Sequence, residues 1–73
     1  MNLNKYESLT SREREVLHFA AEGLTSNEIA TRLGIDSQTA ETDRSSLMQK
    51  LELNTQADLI RFALRQEINS SED

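Results

Sequence analysis

Ile29-Ala30-Thr31-Arg32-Leu33-Gly34-Ile35-Asp36-Ser37-Gln38-Thr39-Ala40 decides how this chain folds. Ile29, Ala30 and Leu33 recur at helical spacing and define one apolar face, which stops at Gly34. Glycine there supplies the left-handed residue that ends a helix, and Asp36 is placed to cap a second helix whose first inward residue is Ala40. Ile35 is a plug beneath the turn, and the small Ala30 lets the two helices cross closely. Two helices joined through Gly34-Ile35-Asp36 have helix-turn-helix spacing. The same corner occurs in helical domains that bind no nucleic acid, so the spacing alone leaves function open.

Outward from this corner, capping signals divide the rest of the chain. Thr10 precedes Glu13, Thr25 precedes Glu28 and Thr55 precedes Asp58, each by three residues, which marks three helix starts as capping boxes or the Asp variant. Gly23 stands where the first helix should stop, as Gly34 does for the second. The reading predicts helices near 11–22, 26–33, 37–51 and 56–67. Their inward faces are Val16, Leu17 and Ala20; Ile29, Ala30 and Leu33; Ala40, Leu47, Met48 and Leu51; and Leu59, Ile60, Ala63 and Leu64. Leu9, Leu24, Ile35 and Leu53 close the core from the connections. The fold class is all-α, a compact four-helix domain over residues 9–67, with 1–8 as a linker or N-terminal arm and 68–73 as an acidic tail. Met1 to Tyr6 and Asn69 to Asp73 carry no such pattern and are expected to fray.

Composition narrows the function classes. The chain has 73 residues, no cysteine, no proline and one histidine, so disulfides, a Cys-ligated zinc site and a thiol nucleophile are all excluded. His18 lies at helical spacing from Glu22, with Glu15 a turn earlier, but one histidine outside a His-Glu-x-x-His run reads as a solvated helix side rather than a metal site. No glycine-rich loop could cradle a nucleotide, and no serine sits in a nucleophile elbow, so neither a cofactor nor an enzyme is expected. The apolar runs are too short for a membrane span or a signal peptide, which points to the cytoplasm. Thirteen acids against eight bases give a net charge of −5, so any binding of a polyanion must rest on local charge placement.

Leu9-Thr10-Ser11-Arg12-Glu13-Arg14-Glu15-Val16-Leu17, Glu22-Gly23-Leu24-Thr25-Ser26-Asn27-Glu28-Ile29-Ala30, Thr39-Ala40-Glu41-Thr42-Asp43-Arg44, Leu47-Met48-Gln49-Lys50-Leu51 and Ala57-Asp58-Leu59-Ile60-Arg61-Phe62-Ala63-Leu64-Arg65 follow one another with the gaps of a known family. Together they resemble the LuxR-type (FixJ/NarL/GerE) helix-turn-helix domain over about residues 9–66. The resemblance implies a bacterial DNA-binding transcriptional regulator whose third helix enters the major groove and whose fourth helix pairs two copies on a two-fold site. Lys5-Tyr6-Glu7-Ser8 resembles the end of a linker from a receiver domain. The chain therefore fits either the output domain of a response regulator or a stand-alone protein like the GerE branch.

With Ala40, Leu47, Met48 and Leu51 inward, the third helix presents Ser37, Gln38, Glu41, Thr42, Ser45, Ser46 and Gln49 outward. Gln38 and Gln49 suit adenine, Glu41 suits the cytosine amino group and Thr42 suits a base edge or a thymine methyl; composition alone reads this face as solvated. Gln38, Glu41, Thr42 and Ser45 are the base-reading candidates. Thr25, Ser26, Asn27, Thr39, Arg44 and Lys50 are the phosphate candidates, with Arg44 foremost and with Arg12 and Arg32 as further cations. Arg12 and Arg32 can equally pair with Glu15 and Glu28 on their own helices.

Three positions depart from the family pattern. Asp43 stands where His is common, Ala40 where Val is common and Glu52 where Gly is common. Asp43 is expected either to bond Arg44 or another nearby base, or to weaken DNA binding by repelling phosphate. Ala40 removes core volume worth about 1–2 kcal/mol if nothing refills it. Glu52 would cost about 1 kcal/mol in a left-handed conformation, so the helix end is expected to differ locally. Asp58, Arg61, Phe62 and Arg65 are the dimer-surface candidates; Phe62 can instead cover the core, and Asp58 and Arg61 can satisfy each other. The rival reading keeps the fold but makes it an acidic module that binds DNA weakly and acts by pairing with a LuxR-type regulator.

Overall fold

The computed structural model describes the backbone of residues 5–72 and the side chains of residues 5–65. A 3₁₀ turn, Lys5–Ser8, leads into four helices: α1 Ser11–Ala21, α2 Ser26–Leu33, α3 Ser37–Leu51 and α4 Gln56–Glu72. The predicted class and helix order hold. Two boundaries move: α1 stops one residue short of the predicted 22, and α4 runs five residues past the predicted 67. After Leu64 the sequence offers neither Gly nor Pro to stop a helix. Met1–Asn4 and Asp73, where part of the fraying was expected, lie outside the described residues.

Each helix starts as its sequence dictates. Thr10 and Thr25 form complete capping boxes with Glu13 and Glu28. Asp36 accepts from the Thr39 N–H at 2.7 Å. Thr55 accepts from the Asp58 N–H at 3.1 Å, but Asp58 reaches back to the Asn54 N–H rather than to Thr55, so the third box is only half formed.

The first three helices end by one device. Gly23, Gly34 and Glu52 all have left-handed backbones, with φ of 96°, 70° and 60°. The next N–H in each case closes five residues back: Leu24 onto Phe19, Ile35 onto Ala30 and Leu53 onto Met48. Each apolar residue after the turn packs on the core. Glu52 therefore adopts the conformation glycine would, against the expectation of a local change.

The core is Leu9, Val16, Leu17, Ala20, Ile29, Ala30, Ala40, Leu47, Leu51, Leu59 and Ala63. Helix α1 packs on α3 and α4, while α2 packs chiefly on α3. Ala40 is fully buried despite its small size. Leu64, assigned to the core from its spacing, is 53% exposed instead. Phe62, half-buried, packs against the core, as do Tyr6 and Phe19, which the periodicity passed over. Tyr6 was expected to fray, yet its hydroxyl is 2.9 Å from His18 Nε2 and the Arg14 guanidinium lies over its ring.

Candidate nucleic-acid interface

The N-termini of α2 and α3 open onto one groove lined by Thr25, Ser26, Asn27, Ser37, Gln38 and Glu41. The turn at Gly34 creates it by bringing both first turns, with the backbone N–H groups that the Thr25 and Asp36 caps leave over, to the same side of the molecule. Gln38, Glu41, Thr42, Ser45 and Gln49 are all exposed, as the amphipathic reading requires. Nothing in this row carries a positive charge. Ser46, expected outward, is turned instead to α1, where its hydroxyl donates to Glu13 Oε2 at 2.8 Å.

The phosphate candidates separate. Ser26 and Asn27 line the groove, and Thr25 joins them with its hydroxyl already accepting from Glu28 N–H. At 100° per residue, Arg44 stands about 120° round α3 from Gln38. It donates to Gln56 Oε1, and Gln56 in turn donates to the Ala20 carbonyl at 2.8 Å. Arg44 is thus tied toward the start of α4, and the structure does not bring it to the groove. Thr39, Asp43, Ser46 and Lys50 occupy the opposite flank, roughly 80–140° from Gln38, and α1 meets three of them there.

Two consecutive residues of α1 clasp that flank. Glu13 is buried and accepts from Thr10 N–H at 2.9 Å, from Ser46 and from Lys50 Nζ at 2.9 Å. Burial pushes its carboxyl up, but the bonds from Lys50, Thr10 and Ser46 outweigh it and hold the group below the ordinary carboxylate range. Arg12 donates through Nε to Asp43 Oδ2 at 2.5 Å and through Nη2 to Oδ1 at 3.3 Å. The bond and the charge of Asp43 both raise the guanidinium pKa. Asp43 is therefore bonded to a base, as one expectation had it, but to Arg12 rather than to Arg44.

Other same-helix pairings are replaced by longer contacts. Arg12 bonds Asp43 rather than Glu15, and Arg32 lies over the Phe19 ring, 5.7 Å from its centroid, rather than on Glu28. Glu28 Oε1 accepts from the Thr25 N–H at 2.8 Å. Sequence spacing exposed Glu13 only as a helix cap; its link to Lys50, 37 residues away, left no local signal. On α4, Asp58 and Arg61 satisfy each other at 3.0 Å, and the Asn54 N–H followed by Arg61 holds the Asp58 carboxyl below its ordinary value. Arg61 and Arg65 are exposed, whereas Phe62 is half-buried. Leu64 joins Ile60, Ala63, His18, Ala21 and Glu22 around a shallow cleft between α1 and α4.

Residues 7–63 match the family described as GerE, bacterial regulatory proteins of the luxR family. The chain belongs to the luxR family. It is 50% identical over 58 residues to the transcriptional regulatory protein MctR of Rhizobium johnstonii, covering 80% of this chain and 27% of that protein. It is 44% identical over 57 residues to the uncharacterized response regulatory protein YgeK of Escherichia coli, covering 78% of this chain and 39% of that one. It is also 38% identical over 64 residues to the DNA-binding transcriptional activator EvgA of Escherichia coli, covering 88% of this chain and 31% of that one. The chain thus spans about a quarter to two-fifths of the length of these relatives. As a luxR-family helix-turn-helix domain it is a DNA-binding transcriptional regulator domain, and the exposed row of α3 is its neutral to acidic outer face. Among the described residues, no helix is long and apolar enough to cross a membrane.

Proposed function

We propose that this domain lays the exposed row of α3 in the major groove of a two-fold DNA site, as one of two copies paired through α4. The observation that carries the reading is the groove where α2 and α3 begin, which gathers Ser26, Asn27, Gln38 and Glu41 beside two helix N-termini suited to phosphate. In this reading Gln38 takes adenine, Glu41 accepts from a cytosine amino group, and Thr42 and Ser45 contact neighbouring base edges. Thr25, Ser26, Asn27 and Thr39 position the backbone, and Arg44 and Lys50 serve once released from Gln56 and Glu13. Arg61, Arg65 and the exposed Leu64 form the pairing surface, with Asp58 and Phe62 beside it. A receiver domain ahead of Lys5 would complete a response regulator.

Selection from a pool of random duplexes, followed by binding of the recovered site to Gln38→Ala and Thr42→Ala variants, tests this. A recovered two-fold site and a loss of about 1–3 kcal/mol for each variant are expected. An unstructured pool after selection, or unchanged binding by both variants, refutes it. The pairing of Arg12 and Lys50 with acids favours a second reading, in which the module pairs with a luxR-family regulator and lowers its DNA affinity. That reading predicts no salt-sensitive binding of duplex DNA by the isolated chain.

A further inference from the structure

We propose that Asp43 is an internal counter-ion that holds Arg12 away from DNA phosphate and thereby sets the DNA affinity of the domain, an inference that rests on α3 being the DNA-facing helix. The side edge of the Arg12 guanidinium, Nε with Nη2, is the edge that forks onto two oxygens of a phosphate. Here it forks onto the two carboxylate oxygens of Asp43, at 2.5 and 3.3 Å. Asp43 stands where phosphate oxygens would.

Location makes the substitution matter. The Asp43 side chain is 12% exposed and fixed on α3, whereas that of Arg12 is 49% exposed. The arginine therefore sits at the solvent edge of the flank that runs beside the reading face, where the backbone of a duplex passes if α3 lies in the groove. A carboxylate held on the same fold meets its arginine without the loss of freedom that an incoming phosphate suffers, so it wins the competition at ordinary DNA concentrations. Lys50 on the same flank is held by Glu13, so two cations and two acids leave this flank with no net charge.

Asp43 is the residue that sets affinity, because its partner is Arg12 alone among the hydrogen bonds of the described residues. Glu13 also holds the Thr10 N–H and Ser46, so removing it disturbs the helix start as well. This differs from simple repulsion of DNA by Asp43. Repulsion acts with or without Arg12, whereas sequestration requires it.

Fluorescence anisotropy with a pool of random-sequence duplexes of about 20 base pairs, titrated between about 50 and 200 mM salt, separates the two. The proteins are the unmodified chain, Asp43→Asn, and Asp43→Asn combined with Arg12→Gln, each checked by circular dichroism. Freeing one arginine should tighten binding roughly eightfold near 0.1 M salt and steepen the plot of log K against log salt by about 0.9 per subunit. The double variant should lose both gains. Unchanged or weaker binding by Asp43→Asn, or a gain that persists in the double variant, overturns the inference and leaves the DNA-binding reading standing. No binding by any of the three at the lowest salt overturns both. Should Asp43→Asn fail to fold, the Arg12 Nε–H resonance of the unmodified chain decides. It should not move on saturation with the duplex pool if Asp43 keeps the arginine, and a shift on saturation overturns the inference.

Discussion

Replacing Glu13 by Ala removes three hydrogen bonds at once, from Thr10 N–H, Ser46 and Lys50, all at 2.8–2.9 Å. A hydrogen bond to a charged group contributes about 1.5–3 kcal/mol when buried, and a helix cap contributes about 1 kcal/mol. The Lys50 share is smaller because that side chain is 39% exposed and its charge is partly screened. The loss should be about 3 kcal/mol, a large part of the roughly 4–10 kcal/mol expected of a domain this size. Urea unfolding followed by helical circular dichroism at neutral pH measures it. The pH dependence supplies a second check. Because the folded carboxyl lies below its unfolded value, its stabilisation is complete above the ordinary glutamate range and fades as pH falls through the folded value. The Ala variant should therefore lose less stability than the parent between neutral and acidic pH. A loss under about 1 kcal/mol, or parallel pH curves for the two proteins, would refute the role given to Glu13.

Gly34→Ala should cost about 1 kcal/mol by thermal unfolding, all of it backbone strain, because φ is 70° and a Cβ there would meet no atom within 4 Å. Glu52→Gly should run the other way and stabilise by roughly 0.5 kcal/mol, since relief of the left-handed strain outweighs the loss of the exposed ion pair with Lys5; a lower melting temperature would count against it. Tyr6→Phe should cost about 1 kcal/mol by removing the hydroxyl bonded to His18, and should raise amide exchange in Lys5–Ser8 relative to the rest of the chain. Leu64→Ser should leave monomer stability within about 0.5 kcal/mol while weakening any concentration-dependent pairing seen by sedimentation; pairing as strong as in the parent would remove α4 from the proposed interface.

Local chemistry made most of the fold legible. Caps act within three or four residues, so Thr10, Thr25 and Asp36 announced their helices, and a glycine beside an apolar residue announced two of the three endings. The outward row of α3 followed from period alone. Contacts between distant residues were not legible: Arg12 could reach Glu15 by spacing, but the fold offered Asp43, 31 residues away and better shielded from water. Spacing misplaces Leu64 because α4 packs chiefly on α1, and its apolar stripe is wider than the face it buries there. The charge of Arg44 marks it as a phosphate candidate but says nothing of the Gln56 to which it donates in this fold.

The third ending shows why position outranks residue type. Glu52 lacks the freedom of glycine, yet α3 must stop where Leu53 can turn inward and cover the core. The Leu53 N–H bond to Met48 and the partial burial of Leu53 together outweigh about 1 kcal/mol of left-handed strain, and the Lys5 contact adds a little. The same turn geometry at Gly34 sets where α3 begins. One backbone device at each end thus fixes α3, while Arg12 and Glu13 fix its rotation by gripping residues 43, 46 and 50. A helix held at both ends and along one flank presents Gln38, Glu41, Thr42 and Ser45 as one exposed row, the preorganisation that the proposed base reading would require.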